Sequence, residues 1–121
     1  MKISKTMTFE ACHKLPDEEC YGACRNLHGH SYVVEVIIEG SVNEKGWVMN
    51  FKDLKAVMKK CIYNKYDHSD LNAYFEIPTA ELMVNHILNE LADELNDYEL
   101  EAITLRLWET ANSYAEDTYI Y

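Results

Sequence analysis

The sequence predicts an α+β fold: an antiparallel four-stranded sheet with two helices on one face, in the order β-β-α-α-β-β. Three observations carry this prediction. Three segments alternate apolar and polar residues and a short fourth strand ends the chain, two segments repeat apolar residues at helical spacing, and the strands lie outside the helices along the chain. Its 121 residues correspond to a single domain, 1–121, long enough to bury a core without disulfides.

Residues 2–13 alternate with Ile3, Lys5, Met7, Phe9, Ala11 and His13 on one face, the period of a half-buried strand. Residues 14–27 hold Pro, Asp, Glu and Gly and read as a loop. In residues 28–39 His28, His30, Tyr32, Val34, Val36 and Ile38 share a face, with Glu35 and Glu39 opposite; Gly40 to Gly46 is a turn. Asn50 is a good N-cap for a first helix, with Asp53 placed as in a capping box and a stripe of Phe51, Leu54, Val57, Met58, Cys61 and Ile62. After a loop at 67–72, Thr79 caps a second helix in which Met83, Ile87, Leu91 and Leu95 recur every four residues. Residues 101–110 alternate, with Ile103, Leu105, Leu107 and Glu109 together, and a last short strand covers about 114–120. Four strands leave two sheet edges, which favours oligomerisation through them.

Composition narrows the function classes. The chain is 48% hydrophobic and 26% charged, as in ordinary globular proteins, and holds no apolar run of the ~18 residues that a membrane span needs. Eleven Lys and Arg against 21 Asp and Glu give a net charge of −10, with no basic patch for nucleic acid. An anionic substrate needs local Lys, Arg or metal charge to overcome that field. Met1 to Lys5 lead into no apolar signal segment, so a cytoplasmic location is expected. In that compartment four cysteines point to metal binding or catalysis before disulfides.

The chemistry concentrates around His28-Gly29-His30. On a strand, positions i and i+2 project to the same side, and Gly29 leaves room on the opposite face. If the first two strands pair as a hairpin, His13 lands beside them, and three imidazoles with an open position form a catalytic zinc pattern. Cys24, four residues before His28, is either a thiol activated near the metal or a fourth ligand that closes the site, and Cys20 offers the same ligand possibility as Cys20-x-x-x-Cys24. Cys61 belongs to the helical core stripe. Asp67-His68 is a carboxylate beside an imidazole, a candidate proton shuttle. Glu109 continues an apolar face, so it has either reached solvent or accepts hydrogen bonds from a ligand such as an amino-pyrimidinone edge. Lys14 and Arg25, flanking these residues, are either solvated charges or receivers of a phosphate, and His86 reads as a boundary residue.

Taken together, Phe9-Glu10-Ala11-Cys12-His13-Lys14-Leu15, Cys24-Arg25-Asn26-Leu27-His28-Gly29-His30, Gly46-Trp47-Val48-Met49-Asn50-Phe51, Asp67-His68 with Leu71-Asn72, Pro78-Thr79-Ala80-Glu81 and Trp108-Glu109-Thr110 resemble the family of 6-pyruvoyl- and 6-carboxy-tetrahydropterin synthases over nearly the whole chain. The resemblance implies the tunnelling fold, whose sheets join edge to edge into a trimeric barrel, often stacked as a hexamer, with active sites between subunits. It implies Zn²⁺ on His13, His28 and His30, a catalytic Cys24 with Asp67 and His68 as acid–base partners, Glu109 anchoring a pterin ring, and Thr79 and Glu81 lining the pocket from a neighbouring subunit. Three residues between Cys24 and His28 look like the bacterial carboxy-tetrahydropterin branch of queuosine biosynthesis, which acts on 7,8-dihydroneopterin triphosphate; the animal pyruvoyl-forming enzymes carry a longer insertion there. Asn50 replaces the family's usual Asp, Cys12 its usual Ala, and Cys20 is an additional thiol. The alternatives are a pyruvoyl-tetrahydropterin synthase, a folate-directed side-chain aldolase, a non-catalytic zinc or pterin-binding protein, and a structural domain with incidental histidines.

Overall fold

The computed structural model describes residues 1–121. Strand β1 (Lys2–His13) and strand β2 (His28–Gly40) form a long antiparallel pair, in which Phe9 lies opposite Tyr32 and His13 opposite His28. Helix α1 (Phe51–Met58) runs through a π-helical turn, Lys59–Tyr63, into one further turn, α2 (Asn64–Tyr66). A two-residue strand β3 (Ser69–Asp70) precedes helix α3 (Ala80–Glu94), and strands β4 (Leu100–Thr110) and β5 (Ser113–Ile120) close the chain. The sheet order is β3-β1-β2-β4-β5.

The four long strands are antiparallel, as the alternation predicts, but the sheet has five strands rather than four. β3 lies parallel to β1, with Ser69 opposite Ala11 and Asp70 opposite Cys12. Two residues carry no readable period, so this pairing comes from the tertiary bonds that hold the 67–72 loop against β1.

The helices cover the face that the sequence marks as apolar. Tyr32, Val34, Val36 and Ile38 of β2 and Ile103, Leu105 and Leu107 of β4 are fully buried beneath Leu54, Met58, Met83, Ile87, Leu91 and Leu95. Phe9 stacks on Tyr32 with ring centroids 4.9 Å apart, joining β1 to this layer. Cys61 is buried in the core, as its place on the helical stripe requires. Phe51 leaves that stripe: it is 53% exposed, because the first position of α1 lies outside the packed layer. The Asn50 side chain accepts from the Lys52 amide at 2.9 Å, and Thr79 accepts from Leu82, so both predicted caps form. The reciprocal capping-box bond from Asp53 does not.

The loop between β1 and β2 contains a 3₁₀ segment, Glu19–Arg25, broken at Gly22 by a φ of +54°, a conformation that glycine adopts without strain. The outer edge of β5 is unpaired, and β3 covers only the end of the outer edge of β1.

Candidate active site

The end of the β1–β2 pair brings three imidazoles together. His13 closes β1 on its buried face, and His28 and His30 open β2 on the same face. The ring centroids of His13 and His28 are 4.5 Å apart, those of His13 and His30 5.1 Å, and those of His28 and His30 5.0 Å. A ring nitrogen from each lies within 4.8 Å of the other two.

Backbone carbonyls set the tautomers. His13 Nδ1 lies 2.9 Å from the Pro78 carbonyl and His28 Nδ1 2.7 Å from the Asn26 carbonyl, so each Nδ1–H donates and each Nε2 keeps a free lone pair. Those two Nε2 atoms face each other at 3.0 Å. His30 Nε2 is buried without a hydrogen-bond partner; Glu109 Oε1 lies 3.4 Å away but is not aligned to accept from it. Burial pushes the His30 imidazole below its ordinary pKa; Glu109 opposes that shift and the other two histidines add to it. Opposed lone pairs and an orphaned nitrogen are costly by themselves and are satisfied by a cation. Imidazole donors held by carbonyls on their far nitrogens suit Zn²⁺.

A cavity of about 670 Å³ lies over the other face of the sheet, lined there by Thr6, Ser31, Val33, Glu35 and Trp108, and His30 and Glu109 also reach its wall. A Cβ added at Gly29 would meet only the Ala11 carbonyl at 3.5 Å, so the space predicted there is present. Glu109 is one-third exposed and lies 3.4 Å from His30, and both reach the cavity wall, which fits a ligand-facing carboxylate better than a solvated strand end.

Asp67 and His68 form a second cluster, on the outer edge of β1. Asp67 Oδ1 accepts from the Glu10 amide at 3.0 Å, and Oδ2 accepts from His68 Nδ1 at 2.7 Å. The His68 amide donates to the Glu10 carbonyl at 2.6 Å, which helps hold His68 at a φ of +57°. The Glu10 amide, with His68 second, pulls the Asp67 carboxyl below its usual value. The His68 side chain is 81% exposed, so its Nε2 is free to exchange protons with a ligand or a neighbouring molecule.

The fold is that of a known group. A sequence model of the 6-pyruvoyl tetrahydropterin synthase family matches residues 2–118. The chain belongs to this family. It is 34% identical to a Haemophilus influenzae protein named 6-carboxy-5,6,7,8-tetrahydropterin synthase, over 95% of this chain and 96% of that one. It is also 34% identical to a Pyrococcus furiosus protein named dihydroneopterin monophosphate aldolase, over 89% of each. Among solved structures, Caenorhabditis elegans 6-pyruvoyl tetrahydropterin synthase superposes with a TM-score of 0.82 at 25% identity, covering 100% of this chain and 95% of that one.

Within one chain of this 6-pyruvoyl tetrahydropterin synthase family member, the predicted site residues fall into separate groups. His13, His28, His30 and Glu109 meet. Cys24 is exposed on the 3₁₀ segment, and no hydrogen bond or ion pair joins it or His68 to the three histidines. Thr79 is half-buried and occupied as the cap of α3, and Glu81 is exposed in the first turn of that helix; neither lines the cavity beside Glu109. Cys12 turns away from the histidines, its thiol 3.7 Å from the Ser69 carbonyl, as strand alternation predicts. His86 is exposed, 3.4 Å from Glu90.

Sequence reasoning missed the groups that orient the histidines. The carbonyls of Pro78 and Asn26 leave no trace in residue type. Tyr32, whose hydroxyl lies 3.4 Å from His13 Nδ1, could have been found from its place two residues after His30 on the same face. Burial raises the Tyr32 pKa, which keeps its hydroxyl protonated.

Proposed function

We propose that this protein is a zinc-dependent 6-carboxy-5,6,7,8-tetrahydropterin synthase, converting 7,8-dihydroneopterin triphosphate and water to 6-carboxy-5,6,7,8-tetrahydropterin, acetaldehyde and triphosphate in 7-deazaguanine (queuosine) biosynthesis. The observation that carries this reading is the convergence of three imidazoles, two of them oriented by backbone carbonyls, with Glu109 beside them. The three-residue spacing from Cys24 to His28 and the Haemophilus relative favour the carboxy branch.

When bound by His13, His28 and His30, zinc supplies Lewis-acid stabilisation of charge developing on the substrate's side-chain oxygens. Glu109 accepts two parallel N–H bonds from the pterin edge and so fixes the ring in the cavity. Cys24, as thiolate, removes a side-chain proton, and His68, held through Nδ1 by Asp67, returns one elsewhere, moving unsaturation from the ring into the side chain. Triphosphate leaves with its bridging oxygen by elimination across the outer two side-chain carbons, water adds to the carbonyl carbon next to the ring, and cleavage of the bond between that carbon and the next leaves the carboxyl and releases acetaldehyde, which takes up a proton.

No hydrogen bond or ion pair joins Cys24 to the Asp67–His68 pair within one chain, and the pair sits at the covered end of β1's outer edge, next to the stretch left unpaired. We therefore assign the complete site to a homo-oligomer, a trimer or hexamer, in which Thr79 and Glu81 also reach a neighbour's pocket. The test is mass spectrometry of the products formed by zinc-loaded protein from dihydroneopterin triphosphate. Carboxy-tetrahydropterin with acetaldehyde supports the reading, and Cys24→Ala should abolish turnover while keeping the metal. Unchanged substrate with zinc bound refutes it. The Pyrococcus relative favours a second reading, side-chain aldolase, which would leave a phosphorylated aldehyde fragment instead.

A further inference from the structure

A second cavity, of about 630 Å³, has no part in the steps above. Its wall includes Lys14, Asp17, Arg25, Asn26, Asn72 and Glu76. It adjoins the metal centre through covalent neighbours: Lys14 follows His13, and the Asn26 carbonyl holds His28. Asn72 clamps the Lys14 backbone, accepting from its amide at 2.8 Å and donating to its carbonyl at 2.9 Å. The Lys14 ammonium itself joins none of the ion pairs of the molecule. Arg25 is anchored by its Nε–H, which donates to the Gly22 carbonyl at 2.9 Å. Its Nη1 lies 3.6 Å from Asp17, a side chain 96% exposed, so that pair is screened by water and displaceable.

We propose that this cavity is an anion subsite for the polyphosphate tail of the substrate, held by Lys14 and Arg25; the inference rests on the pterin-triphosphate reading above. A chain of net charge −10 repels a polyanion at long range, so binding needs cations placed beside the reacting centre. These two stand one residue from His13 and from Cys24. Asp17 and Glu76 leave the wall neutral overall, so the affinity comes from direct charge-assisted bonds and not from a broad positive potential. A guanidinium anchored through Nε still presents its Nη donors to phosphate oxygens.

The experiment is calorimetric titration of the zinc-loaded protein with inorganic triphosphate, paired with KM for the pterin triphosphate. Lys14→Ala and Arg25→Ala should each weaken triphosphate binding and raise KM by about tenfold, with Lys14→Arg restoring both. Lys52→Ala, which removes the same charge from exposed α1, should change neither. Binding by the wild type should fall as salt rises. Unaltered binding and KM in both cavity variants, or an equal loss in Lys52→Ala, overturns the subsite. A wild type that does not turn over the pterin triphosphate refutes the proposed reaction instead, and the titration still decides the subsite.

Discussion

Removing the metal is expected to lower the melting temperature of this protein, and the three histidines set by how much. Without a cation, the Nε2 atoms of His13 and His28 oppose each other at 3.0 Å and the buried Nε2 of His30 has no partner. A ligand that binds only the folded state stabilises it by about 2.7 kcal/mol at a free concentration 100 times its Kd. For a domain of this length each kcal/mol moves the midpoint by roughly 3–5 °C, so zinc should raise it by about 8–14 °C. His28→Gln keeps a polar side chain of similar size but removes one ligand. If affinity falls about 100-fold, the same zinc concentration only matches the new Kd, and the gain drops to about 0.4 kcal/mol, or ~1–2 °C. Differential scanning fluorimetry with and without chelator, on both proteins, measures the two shifts, and elemental analysis counts the metal. A wild type indifferent to zinc would refute a metal centre. A His28→Gln variant with the full shift would place the metal elsewhere.

Four further outcomes follow from the geometry. The Asp67 carboxyl titrates below the usual ~3.9 of a free aspartate, so its hold on the Glu10 amide is complete above that pH and is lost as pH falls through its lower folded value; the Glu10 amide shift in NMR should report this midpoint, and a midpoint at or above the ordinary value contradicts the bonding. Asp67→Asn should leave His68 wrongly oriented and cut turnover by about 10²-fold or more with zinc content unchanged. Glu109→Gln should raise KM for the pterin about tenfold or more, measured in steady-state assays. Leu91→Ala, at a fully buried position of α3, should cost about 2–5 kcal/mol in urea unfolding; a loss under 1 kcal/mol would mean that α3 does not pack as described.

Much of the fold could be read from periodicity. The alternation at 28–39 placed Tyr32, Val34, Val36 and Ile38 on the buried face, and the four-residue recurrence at 83–95 placed Met83, Ile87, Leu91 and Leu95 against it. Both patterns are dictated by which residues must leave water, and a strand or helix repeats that demand often enough to be seen. The three-histidine cluster was legible for the same reason: His28 and His30 are two apart on one strand, and antiparallel pairing with β1 brings His13 opposite His28.

Other features depend on atoms that sequence distance does not order. Strand β3 is two residues long and exists through its bonds to β1. The tautomers of His13 and His28 are set by carbonyls of Pro78 and Asn26, which every residue type carries alike. Asp67 acts on His68 in a conformation held through the Glu10 backbone, 57 residues away. The sequence by itself determined which side chains are buried and which chemistry-bearing residues are available, because burial and strand period are local properties of the chain. Only the tertiary structure decided which of them meet, since it brings the three histidines together beside Glu109 and bonds His68 to Asp67 instead.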